Sequence, residues 1–138
     1  MLHIKNAAAL QTPVAIAAPG GDVTFDTVVY STNSAAELKD NAVLLHVPGV
    51  YDGICTITLQ NEETTAATVS LQAYADGKAI PGAIDTVTIA ADGAQAALSM
   101  PWPVKVVEAG SGVATVSWKI IGGPVSLANA FATIRRLA

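Results

Sequence analysis

The clearest pattern in the chain is the alternation of apolar and polar positions between Val50 and Ala83. Along Tyr51–Gln60, Tyr51, Gly53, Cys55, Ile57 and Leu59 fall on one side, and Asp52, Ile54, Thr56, Thr58 and Gln60 on the other. A period of two is that of an extended strand with one buried face, so the odd-numbered set predicts a core face. After a polar loop at Asn61–Ala67, the run Thr68–Tyr74 returns with Val69, Leu71 and Ala73 inward. Asp76-Gly77 supplies the positive φ angles of a tight hairpin tip. Pro81 removes a ladder donor, which puts residues 78–83 at a sheet edge or just outside it.

The rest of the chain extends the pattern. Asp22–Ser31 predicts a strand with Val23 and Phe25 on one face, and Ala42–Val47 another that ends at Pro48-Gly49. Between them, Ser34 and Glu37 have the spacing of a capping box, so a single helical turn or, better, a loop is expected. Asp85–Ala90 alternates Val87 and Ile89 inward, and Asp92-Gly93 marks a second tight turn. Pro101 and Pro103 flank Trp102, which excludes a central strand and predicts a loop or a packed edge. Val104–Glu108 is a strand and 109–112 a turn. Val113–Ile121 turns Ala114, Val116, Trp118 and Ile120 inward, and Ser126–Leu137 closes the chain after the Gly122-Gly123-Pro124 break. Residues 1–21, ending in Pro19-Gly20-Gly21, read as an N-terminal arm or a first short strand near Val14–Ala17, ahead of a domain spanning 22–138. About eight to ten short strands and no helix beyond a turn give an all-β antiparallel sandwich.

Composition narrows what such a sandwich can do. At 138 residues the chain fits one domain. Apolar residues make up 51% and charged residues only 13%, so much of the surface is Ala, Thr, Ser, Gly and Asn. A surface that poor in charge suits a subunit that covers its exterior with copies of itself. The net charge of −4, with Arg135-Arg136 the only basic pair, argues against nucleic acid, which needs a clustered basic stripe. Asn6–Gly21 is broken by Gln11, Thr12, Pro13 and Pro19, so it predicts no membrane span, and it is too interrupted for a secretory signal.

No constellation predicts catalysis or calls for a cofactor. Cys55, the only cysteine, lies inside an alternating strand and reads as a buried small hydrophobe. His46 has no second ligand at metal-binding spacing, and Gly110-Ser111-Gly112 is a flexible turn with no nucleophile-elbow signature. The acidic residues are dispersed through turns, which leaves neither a metal set nor a carboxylate pair to single out. The chain is therefore read as a non-enzyme. Tyr51, Tyr74 and Trp102 remain as aromatics that would either stack on a glycan or anchor a core or an interface.

The order of the segments resembles the TNF/C1q-like jelly roll. Gly49-Val50-Tyr51 opens a core strand, Asp76-Gly77 makes the later hairpin, and a hydrophobic strand ends the chain. More narrowly, VPGVYDGICTITL, YADGKAIPGA, ALSMPWPVKV and the closing FATIRRL are similar to small phage and prophage structural proteins of this fold. The resemblance covers roughly residues 22–138. It implies a homotrimer packed about one sheet and a place in a virion as a decoration, head-fibre or tail-associated protein, touching other virion proteins, with the N-terminal arm as an attachment. A host-surface or glycan-binding module of the same fold is the alternative. With aromatic residues at 5%, axial packing would rest on Val, Ile, Leu and Ala.

Overall fold

A computed structural model describes residues 1–5, 14–32, 36–106 and 114–137. These residues form twelve strands: β1 (Leu2–Lys5), β2 (Val14–Ile16), β3 (Gly20–Asp22), β4 (Thr27–Ser31), β5 (Ala36–Lys39), β6 (Ala42–Leu45), β7 (Gly49–Asn61), β8 (Ala67–Ala75), β9 (Lys78–Ile89), β10 (Ala94–Val106), β11 (Ala114–Gly122) and β12 (Val125–Arg136). They make two antiparallel sheets. The first runs β10-β7-β12-β1-β4, with β2 also on β12; the second runs β5-β6-β11-β8-β9, with β3 also on β11. From β9 onward the chain crosses between sheets at every connection, which is the double-sheet jelly-roll solution to closing an all-β core.

The predicted core faces are the observed ones. Tyr51, Cys55, Ile57 and Leu59 of β7 are buried against Val69, Leu71 and Ala73 of β8 and against Ala114, Val116, Trp118 and Ile120 of β11. Two indoles tie the sheets together. Trp102 of β10 meets Trp118 of β11 edge to face, with centroids 5.6 Å apart at 66°, and Phe25 meets Trp118 at 5.3 Å and 69°. Neither indole N–H finds an acceptor among the described residues. The burial of two large rings and their quadrupole contact offset that loss.

Gly53 makes room for this arrangement. A Cβ there would lie 2.6 Å from Trp102 Cζ2 and 2.6 Å from the Thr133 carbonyl, so only glycine lets the indole lie on the β7 backbone. The Pro-Trp-Pro segment is an edge after all, but within a continuous strand. β10 pairs with β7 through all thirteen residues, and Pro101 and Pro103, two positions apart, turn their missing donors to the open side.

The hairpin tips fall where the turn residues place them, with φ of 51° and 79° at Asp76 and Gly77 and of 62° and 91° at Asp92 and Gly93. Pro81 lies on the edge strand β9, as expected, inside a bulge opposite Ala73. Gln72 fills that bulge: it is buried, and its amide nitrogen donates toward the carbonyls of Ala73, Ile80 and Ala83 at 2.8, 3.1 and 3.0 Å.

Two expectations change and a third is narrowed. The Ser34–Asp40 segment forms neither a helical turn nor a plain loop where it is described; Ala36–Lys39 is strand β5, paired with β6. The Asp22–Ser31 strand is interrupted, since Val23–Asp26 leaves the ladder while Val23 and Phe25 stay buried. Of residues 1–21, the described ones take the short-strand alternative: β2 (Val14–Ile16) lies where a first strand is expected, and β1 and β3 belong to the sandwich as well. Leu2 and Ile4 are buried in β1, between β12 and β4, and β2 and β3 join opposite sheets. The predicted 109–112 turn falls outside the described residues.

Candidate functional site

The aromatics singled out from the sequence are not gathered into one site. Tyr51 is buried, and its hydroxyl donates to the Val47 carbonyl at 2.6 Å, which pins the turn before β7. Trp102 is in the core pair described above. Neither offers a ring face to a sugar or to a partner, so of the two roles expected for them both take that of core anchors. Tyr74 alone is half-exposed, on the outer side of β8, with Lys119 Nζ 5.3 Å from its ring centre.

The other candidates are structural as well. Cys55 is fully buried, and burial pushes its thiol up far above the ordinary range, so no thiolate nucleophile forms near neutral pH. His46 sits 3.1 Å from Glu37 across the β5–β6 pair. Arg136 donates to the Pro48 carbonyl at 2.8 Å, and Arg135 pairs with Asp52 at 2.8 Å; both are exposed strand-end contacts. Among the described residues no three His, Cys, Asp or Glu side chains gather for a metal ion, and no helix is long and apolar enough to cross a membrane.

What the structure does bring together is the outer face of the first sheet. The alternation that buries Tyr51, Cys55 and Ile57 turns Asp52, Ile54 and Thr56 outward. The register sets Ile54 beside Pro101 on β10 and Thr133 on β12, and Thr56 beside Ser99 and Phe131. Ile54 is 43% exposed. His3 of β1 extends the patch: its Nδ1 is 2.7 Å from the Thr133 hydroxyl, its ring stacks on Tyr30 at 5.7 Å and 4°, and Phe131 lies 6.0 Å away. Val28, Val29 and Tyr30 of the edge strand β4 are all close to half exposed.

A depression of about 280 Å³ opens in this face, lined by Met1, Asp52, Ile54, Pro101, Thr133 and Arg135. Its two charges neutralise each other in the Arg135–Asp52 pair. The depression is therefore nearly neutral and largely apolar, with short hydroxyl side chains between the apolar ones, and Lys5 of β1, beside Phe131 in the register, adds a charge further along the face. Such a surface can be desolvated by a flat partner at little electrostatic cost.

No protein-family model and no curated protein matches the sequence. Solved structures do match in shape. The chain superposes on crystal structures of murine APRIL, at pH 5.0 with a TM-score of 0.62 and 12% identity and at pH 8.0 with a TM-score of 0.63 and 12% identity. In both cases 99% of this chain and 97% of the other are covered. At that identity the likeness concerns the fold, and the fold is a TNF-like jelly roll.

Proposed function

We propose that this chain is a non-enzymatic structural subunit that assembles as a homotrimer through the outer face of the sheet β10-β7-β12-β1-β4. The observation that carries the reading is the patch of Ile54, Pro101, Phe131 and Tyr30 on a face where the two charges nearest Ile54, Asp52 and Arg135, are already paired. Apolar area removed from water stabilises an assembly by roughly 25 cal/mol per Å². A carboxylate placed at its centre would be desolvated without a partner. The resemblance to the TNF/C1q-like family supports three as the number of copies.

The setting follows from the similarity of VPGVYDGICTITL and YADGKAIPGA to phage and prophage proteins: a bacteriophage virion, as a decoration, head-fibre or tail-associated component. Sedimentation velocity at micromolar concentration tests the association, with the mass of three chains expected and a stable monomer overturning it. Reconstruction of the particle tests the setting.

A further inference from the structure

The second sheet carries a feature that self-association does not use. Strand β11 is flanked on one side by two strands that do not meet: β6 pairs with Ala114–Val116, and β3 with Lys119–Ile121. On that side Ser117 and Trp118 have no ladder partner, although they pair with β8 on the other and the Trp118 carbonyl accepts from Val23 N at 3.0 Å. A cleft of about 270 Å³ crosses β11 at this gap. Asp22 and the β5–β6 turn, Asp40-Asn41, stand on one side, with Tyr74 and the Gly77 hairpin tip on the other, and Ser117 and Lys119 belong to the floor.

We propose that this cleft binds a single uncharged, hydroxyl-rich sugar ring. Two carboxylates, Asp22 and Asp40, accept from vicinal hydroxyls, and Lys119 and the Ser117 hydroxyl donate. Asn41 already accepts the Phe25 N–H through Oδ1 at 2.9 Å, which fixes the side chain and leaves its Nδ2 to donate. The half-exposed Tyr74 supplies the apolar wall that a sugar's C–H face requires. The volume lies below the roughly 300–1,000 Å³ of pockets for drug-sized ligands, which suits one ring and not a longer saccharide held along its length. Two carboxylates against one ammonium disfavour an acidic sugar. The cleft opens on the sheet facing away from the association face.

Saturation-transfer NMR on the whole chain, with D-galactose, D-glucose, D-mannose, L-fucose and N-acetyl-D-glucosamine at millimolar concentration and N-acetylneuraminic acid as the acidic control, tests the proposal. At least one neutral sugar is expected to give transfer, and the acidic control none. Tyr74→Ala and Asp40→Asn should each weaken the apparent Kd by about tenfold with the thermal midpoint unchanged. Asn tolerates the positive φ of 51° at position 40, so Asp40→Asn tests the carboxylate alone. Silence from all five neutral sugars, transfer that survives both variants, or preference for the acidic sugar overturns the proposal.

Discussion

The two outer faces of this sandwich come from the same strand alternation and carry opposite chemistry. On the second sheet the outward positions pair hydroxyl with hydroxyl: Thr68 with Thr88 at 3.0 Å and Ser70 with Thr86 at 2.7 Å, beside a Lys119–Tyr74 contact. Its exposed Ile84 and Ile121 are scattered among polar neighbours. Outside the cleft across β11, that is a face finished against water. On the first sheet the outward positions bring Ile54, Pro101, Phe131, His3 and Tyr30 into one area, with its flanking charges paired. The difference teaches that strand period alone assigns a residue to the outside, while cross-strand register decides whether that outside is solvent or partner.

The core between the faces gives the largest effect. Val116→Asp places a charge at a fully buried position of β11 and should cost on the order of 5 kcal/mol, enough to abolish the cooperative unfolding transition in calorimetry. If the variant instead folded and lost only assembly, the partition into core and interface would be wrong. Asn61→Ala removes a buried amide whose nitrogen lies 2.9 and 3.1 Å from the Thr65 and Ile89 carbonyls and whose oxygen accepts Glu63 N at 3.0 Å. A loss of about 2–3 kcal/mol in denaturant unfolding is expected, because several partners are orphaned together.

Much of this was legible in the sequence because β7, β8 and β11 are long, half-buried strands whose side-chain period is their burial pattern. The turn tips were legible because Asp-Gly tolerates positive φ. What was not legible depends on contacts made across the chain. The four residues of β5, Ala36-Glu37-Leu38-Lys39, alternate over only two apolar positions, too short a run to announce a strand, and are held as one by pairing with β6. Gln72 and Asn61 look like outward or loop residues, yet each sits under a bulge or loop that supplies carbonyls for its amide. The two prolines leave Trp102 in a loop or at a packed edge and say nothing about which way the ring points. Gly53 held the missing signal, as a glycine in the middle of a strand marks a close approach. The apolar outer patch draws on β4, β1, β12, β7 and β10, and no local window of sequence contains it.

Smaller effects sharpen the comparison of faces. Cys55 lies beneath the first sheet's outer face, and a thiol reagent at pH 8 should leave it unlabelled in both the assembled and the dissociated folded protein, reacting only after unfolding. Labelling on dissociation alone would mean that the face and the core open together. At the low end, Arg135→Ala should leave the stability of the folded chain nearly unchanged, since the Asp52 pair is exposed, but it should weaken association by leaving Asp52 uncompensated on the buried face.

The most direct test is sedimentation velocity on the wild type, Ile54→Asp and Ser70→Asp side by side at micromolar concentration. The wild type and Ser70→Asp are predicted to sediment with the mass of three chains, and Ile54→Asp as a folded single chain. A monomeric wild type, or an assembly that survives Ile54→Asp and dissolves with Ser70→Asp, would contradict the assignment of the first sheet's outer face as the surface of self-association.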